Sequence, residues 1–150
     1  MKLLIASDHG GFALKSRIVA FLSKRKVHIE DLGTDSDGSV DYPDFAIKVA
    51  ERVSQGHADA GVLVCGTGIG MCIVANKFRN VRAAVVSDPY SARMAKEHNN
   101  ANILCVGGRV LEENGKAEEI LAAWLDAQYQ GGRHDRRLDK IRQIEKQNFK

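Results

Sequence analysis

No stretch of this 150-residue chain is apolar for long enough to span a bilayer. The first residues, Met1–Asp8, hold too short an apolar run for a secretory leader. Cysteine is scarce. Cys65, Cys72 and Cys105 are odd in number and form no C-x-x-C pair, which argues against a disulfide framework and a paired-thiol zinc site. H-E-x-x-H is missing too, so no motif suggests zinc. The Gly-Lys-Ser/Thr ending of a Walker phosphate loop is absent after the glycine-rich turn at 66–70, where Gly70-Met71-Cys72 stands. Charge is nearly balanced, with 22 Lys and Arg against 19 Asp and Glu, leaving +3. Aromatics are 6% and scarce near the basic tail, a weak basis for nucleic-acid binding. Linkers, low-complexity segments and repeats are lacking. A soluble, cytoplasmic protein with reduced thiols and one domain over 1–150 is expected.

The chain is 44% hydrophobic and long enough to bury a proper core. Strand-like runs at Leu3–Ser7, Val27–Leu32, Gly61–Cys65, Val81–Val86 and Ile103–Gly107 alternate with helix-period stripes. The stripes are Leu14, Ile18, Phe21 and Leu22; Phe45, Ala46, Val49, Ala50 and Val53; and Ile120, Leu121, Trp124 and Leu125. A further helix is expected over Met71–Phe78, and Asp88-Pro89 reads as an N-cap with proline at the first helical position. Five strand–helix units imply an α/β fold with a parallel sheet covered on both faces. Gly131-Gly132 reads as a hinge before a charged tail, 133–150, with a thin stripe of Leu138, Ile141 and Ile144. Such a helix either packs on another subunit or lies solvated on its own domain, and spacing leaves both open.

The most informative stretch is Cys65-Gly66-Thr67-Gly68-Ile69-Gly70. It closes an apolar strand and opens a helix, so the thiol would face unpaired backbone N–H groups and the positive end of a helix dipole, both of which favour a thiolate. The glycines would let a ligand approach the backbone. Ligands of open α/β sheets bind beyond the carboxyl ends of the strands. That rule gathers Asp8 and His9, Cys65, Ser87 and Asp88, and Arg109; His98, at the far end of a helix, is less clearly placed there. A thiol, a carboxylate, imidazoles and a guanidinium suit acid–base work on a small anion. Each has a plainer explanation. Cys65 alone would be a core thiol, as Cys72 and Cys105 are expected to be. Asp8 and Thr67 could be helix caps, His9 could satisfy the same turn, His98 could answer a helix dipole, and Arg133 and Arg137 could be solvated neighbours on one helix face rather than a phosphate clamp. The turn is G-x-G-x-G, one residue short of the dinucleotide fingerprint, so a non-catalytic nucleotide-binding module survives weakly.

Taken together, Ser7-Asp8-His9-Gly10-Gly11-Phe12, Asp41-Tyr42-Pro43, the 65–70 turn, Ala75-Asn76-Lys77, Asp88-Pro89-Tyr90-Ser91-Ala92, His98-Asn99 and Gly131-Gly132-Arg133-His134 with Arg137 closely resemble the ribose/galactose isomerase family over nearly the whole chain. The resemblance implies a three-layer α/β/α sandwich with a mainly parallel, Rossmann-like five-stranded sheet. It implies a homodimer, sometimes paired into a tetramer, whose C-terminal helix (133–150) reaches the partner subunit. The implied activity interconverts ribose 5-phosphate and ribulose 5-phosphate, in the non-oxidative pentose phosphate branch, without metal or organic cofactor. By position, Cys65 would be the base, Thr67 would bond the reacting oxygens, and the amides around Gly66, Gly68 and Gly70 would hold an enediolate. Asp8 and His98 would open the sugar ring, Tyr42 and Asn99 would contact the sugar, and His9, Arg109, Arg133, His134 and Arg137 would surround the phosphate. Some members carry a glutamate base at the position of Met71 instead; with Cys65 and Met71 the chain matches the thiol type. A six-carbon sugar phosphate, such as allose or galactose 6-phosphate, is the nearest alternative substrate.

Overall fold

Ala60-Gly61-Val62-Leu63-Val64-Cys65 has no polar side chain before its terminal thiol, so it can only be comfortable with both faces covered. It forms β3 (Ala60–Cys65), fully buried, at the middle of a five-stranded sheet. The computed structural model describes residues 1–113 and 115–149. In chain order the elements are β1 (Lys2–Ser7), α1 (Phe12–Lys24), β2 (His28–Asp31), α2 (Tyr42–Ser54), β3, α3 (Ile69–Ala75), β4 (Ala83–Val85), α4 (Pro89–Glu97), β5 (Ile103–Gly107), α5 (Lys116–Asp126) and α6 (Arg133–Asn148), with a 3-10 turn over His9–Gly11.

The strand order is β2-β1-β3-β5-β4, and every adjacent pair is parallel. Right-handed crossovers then decide which face each helix covers. Connections running toward the β4 edge carry α2 and α3; those running back carry α1 and α4. The two apolar clusters follow that division. One gathers Leu14, Ile18 and Leu22 of α1, Ala92 and Ala95 of α4 and Ile120, Leu121 and Trp124 of α5. The other gathers Ala46, Val49, Ala50 and Val53 of α2 with Met71 and Ala75 of α3. The chain therefore leaves β3 toward one face, while its neighbours β1 and β5 send their helices to the other. Crevices open at such reversals, and Cys65 stands between two of them.

The expected strands are all present, and two are shorter than their apolar runs. β2 ends at Asp31 rather than Leu32, and β4 covers Ala83–Val85 rather than 81–86. α3 begins at Ile69 and stops at Ala75, where 71–78 was expected. Gly68, at φ +82°, turns the chain straight into the helix. Asn76 ends it: its side-chain amide donates to the Ala83 carbonyl at 3.0 Å and accepts from the Ala83 N–H at 2.9 Å, taking the place of a strand partner at the sheet edge. Asp88 caps α4 as expected, accepting from the Ser91 N–H at 2.7 Å; this hydrogen bond, with that from the Ser91 hydroxyl, holds its carboxyl below the usual range.

Trp124 is the largest fully buried side chain, and its indole N–H donates to the Ala101 carbonyl at 3.2 Å. It clamps α5 onto the loop between α4 and β5. Trp124→Ala is expected to cost about 3–5 kcal/mol, read as a lowered urea midpoint. Among the described residues no helix is long and apolar enough to cross a membrane. On α6 only His134 and Leu138 are buried; Ile141 and Ile144 border an open groove of about 400 Å³ beside Arg82, Asn99 and Phe149.

Candidate active site

Strand register brings three loops together. Ser7 lies opposite Val64, and Cys65 opposite Gly107, so β1, β3 and β5 end side by side. Their turns interlock through backbone. Asp8 N–H donates to Val64 O at 3.1 Å, Gly108 N–H to Cys65 O at 2.8 Å, and Arg109 N–H to Gly66 O at 3.0 Å. A Cβ on Gly10 would lie 3.2 Å from the Gly66 nitrogen, and one on Gly107 would meet Thr67 backbone at 2.7 Å. Packing this close admits only glycine at position 107 and leaves a side chain little room at position 10.

Cys65 is 5% exposed, and its Sγ accepts the Gly68 N–H at 3.1 Å. α3 is seven residues long, so this direct amide contact counts for more than a helix dipole. Asp8 takes the plainer part expected of it, its carboxylate accepting the Gly11 N–H at 3.1 Å, and it is buried beside Gly10. Thr67 is exposed; its Oγ1 accepts from the Ile69 N–H at 3.3 Å, while Gly68 holds the cap position. His9 accepts the Val40 N–H on Nδ1 at 3.1 Å, which leaves the ring proton on Nε2.

Two of the turn's glycines have side chains from other loops beside them. A Cβ on Gly66 would meet Arg109 Nη1 at 2.8 Å, and one on Gly70 would meet the Tyr42 ring at 2.6 Å. The close approach is made by the protein's own Arg109 and Tyr42, both exposed and both brought to the turn from other loops.

His98, Asn99, Arg133, His134 and Arg137 lie elsewhere. α4 starts beyond the carboxyl end of β4 and returns to the amino end of the sheet, so His98, its C-cap, is carried away from Cys65. Asn102, four residues on, accepts the N–H of Gly61 at the start of β3; from there to Cys65 the strand runs about 13 Å at roughly 3.3 Å per residue. The backbone and side chain of Gln130 both bond Glu97, which fixes the start of the tail at the same end. The His134 ring stacks on His98 at 4.3 Å between centroids. His134 is buried, and burial pushes its imidazole below the ordinary range, with His98, Arg133 and Arg137 adding to the effect. Arg133 and Arg137 are exposed on one face of α6. One chain thus holds two half-sets of the expected residues at opposite ends of its sheet.

The other thiols differ from expectation in one respect. Cys105 is a core thiol, and burial raises its pKa well above the usual value. Cys72 is half-buried; the Cys105 thiol beside it, with Val85 and Asn76, favours its thiolate against the effect of burial and brings it to about 7. At pH 7.5, iodoacetamide is expected to label Cys72 well before Cys105, as peptide mass spectrometry would show. Lys15 went unnoticed in the sequence, although a lysine three residues before Ile18 and seven before Leu22 sits on an apolar stripe. Among the described residues no group of three or more His, Cys, Asp or Glu is placed to hold a metal ion.

The sheet order and the interlocked turns define a doubly wound α/β protein with a cysteine seated on backbone amide at the carboxyl end of its central strand. Its relatives narrow the class. The ribose/galactose isomerase family model matches residues 3–141. The chain is 48% identical over 144 residues to ribose-5-phosphate isomerase B of Escherichia coli (strain K12), covering 96% of each. The solved ribose-5-phosphate isomerase B of Clostridium thermocellum is similar at 52% identity and a TM-score of 0.93, over 98% of this chain and 99% of that one. The Mycoplasma genitalium ribose-5-phosphate isomerase B, solved with bound ribulose-5-phosphate, gives 42% identity and a TM-score of 0.93 over 98% and 97%. The chain belongs to the ribose/galactose isomerase family.

Proposed function

We propose that the protein interconverts ribose 5-phosphate and ribulose 5-phosphate by moving a proton between C2 and C1 through Cys65. The carrying observation is the Cys65 sulfur on the Gly68 N–H at 3.1 Å, inside a turn wedged between the β1 and β5 loops. Full-length likeness to enzymes named for this reaction supports the substrate.

The sugar arrives mainly as a closed ring, which Asp8 and an imidazole, His98, open by proton transfer. The Cys65 thiolate takes the C2 proton and leaves a cis-enediolate, whose oxygen the Thr67 hydroxyl and the amides near Gly66 and Gly70 stabilise; the hydroxyl proton passes from O2 to O1 by way of the Thr67 hydroxyl, and Cys65 returns its proton to C1. Fixed donors aimed at a developing oxyanion are typically worth about 3 kcal/mol each. The Gly68 amide serves the sulfur rather than the sugar. His9 and Arg109 face the phosphate from this half of the site, and Tyr42 borders the sugar.

The His98 half-set lies too far from Cys65 to act on the same sugar within one chain. A second copy supplies it. In a two-fold pair each chain gives its carboxyl-end loops to one site and its His98, Asn99, Arg133 and Arg137 to the other. His134, stacked on His98, holds that ring in place more than it meets phosphate. The exposed Ile69 and Ile73 beside the turn, and Ile141 and Ile144 at the other end, give such a pair apolar surface. The tail 133–150 then belongs to the interface, and a homodimer, alone or doubled, is the working form.

Purified protein is to be assayed on five- and six-carbon aldose phosphates, with added divalent metal and then with EDTA. Isomerisation of ribose 5-phosphate at a rate EDTA leaves unchanged is expected. Turnover only of allose or galactose 6-phosphate moves the substrate to six carbons; no turnover of either kind overturns the proposal.

A further inference from the structure

We infer that Lys15 is a positioning residue for the isomerase site: its buried ammonium ties down one end of the 32–41 segment, and the other end of that segment fixes the His9 ring and delivers Tyr42. This rests on the reading of His9 as a phosphate ligand.

Lys15 lies on the sheet-facing side of α1 and is 2% exposed. Burying an ammonium is costly unless it is paired and hydrogen-bonded. Lys15 has both kinds of partner. Nζ donates to Asp31 Oδ1 at 2.7 Å and to the Thr34 carbonyl at 2.6 Å. An apolar residue of the same length could fill the slot but could not hold that carbonyl.

The contacts continue toward the site. Asp31 Oδ1 also accepts the Gly33 N–H at 2.9 Å, so one carboxylate oxygen joins the ammonium to the start of the segment. Gly33 O accepts the Ser7 N–H at 2.7 Å, and the Thr34 N–H donates to Ser7 O at 2.9 Å. Those bonds set the segment against the last residue of β1, immediately before Asp8 and His9. Residues 35–39 then run exposed. At the far end Val40 N–H reaches His9 Nδ1 at 3.1 Å, and Tyr42 opens α2 with its ring against Gly70. Lys15 touches neither His9 nor Tyr42, so its influence passes through the backbone it anchors. With the ammonium gone, the Thr34 carbonyl loses its donor, the start of the segment loosens, and the Val40 N–H no longer dictates which nitrogen of His9 carries the proton or how the ring points.

The test compares Lys15→Met, which keeps the stem and removes the charge, with wild type in steady-state kinetics on ribose 5-phosphate and in 15N NMR of the His9 ring. KM is expected to rise about tenfold with kcat changed less than about twofold, because a misoriented phosphate ligand weakens ground-state and transition-state binding alike. The His9 spectrum is expected to move from one Nε2–H tautomer toward a mixture. A folded Lys15→Met protein with an unchanged KM, or with an unchanged His9 spectrum, overturns the inference. Should Lys15→Met fail to fold, Asp31→Ala, at an exposed position, is read by the same two measurements with the same deciding outcomes. His9→Ala separates the two readings. If it leaves KM unchanged, the phosphate role of His9 falls, and the His9 spectrum of Lys15→Met still decides whether Lys15 orders the ring.

Discussion

Cys65→Ala is expected to lower kcat for ribose 5-phosphate by about 10³-fold, the middle of the range for a positioned acid–base group. KM should move less than about threefold, because the residues assigned to the phosphate and the sugar hydroxyls are untouched. The change is small in volume at a buried site, and it leaves the Gly68 N–H without its sulfur partner. An unpaired buried amide costs about 1–3 kcal/mol, so the variant should stay folded with a slightly lowered midpoint. A folded Cys65→Ala protein with near-normal turnover would remove the base from the mechanism. Cys65→Ser separates the placement of the base from its acidity: a hydroxyl accepts the same amide but is a far weaker acid, so it should remain nearly as impaired.

The second large effect is a recovery. Arg137→Ala is expected to raise KM strongly, since one arm of the proposed phosphate clamp is lost. Mixed with Cys65→Ala chains and allowed to exchange subunits, the two impaired proteins should regain activity. Each mixed pair has one site carrying both substitutions and one carrying neither. With random exchange half the pairs are mixed, so about one quarter of wild-type activity should return at substrate levels too low for Arg137→Ala itself. Verified mixed pairs without recovery would place both residues in one chain's site, a geometry the sheet does not offer: His98 and the start of the tail stand at the amino end, and Cys65 at the carboxyl end.

Much of this molecule was legible in its residues, and the misses have physical causes. β3 announced itself because a strand buried on both faces has no polar position to hide. α2 and α5 did so through wide apolar stripes, and α4 through Asp88-Pro89. The order β2-β1-β3-β5-β4 was not legible, since periodicity says which face of a strand is buried and nothing of its neighbour. Within the site, Cys65 was marked by the turn that follows it. The occupants of the space beside Gly66 and Gly70 were not, because Arg109 and Tyr42 arrive from loops distant in the chain. Cys72 looked like core and proved half-buried, for it lies where α3 meets the sheet's edge strand. The division of the proposed site between two ends of the sheet follows from the length of α4, whose nine residues carry His98 back across the sheet. Lys15 carried a signal, a cation on an apolar stripe, but its acceptors on Asp31 and Thr34 emerge only once β2 is laid beside β1.

A crystal structure of Cys65→Ala soaked with ribose 5-phosphate tests the central claim most directly. The sugar is predicted to lie over the Gly66–Gly70 turn with C2 facing the vacated sulfur position, and its phosphate to be held by Arg109 and His9 of one chain together with an arginine of α6 from a second. A sugar phosphate bound instead in the groove beside Ile141 and Ile144, or held at the turn by a single chain without any group from another, would contradict it.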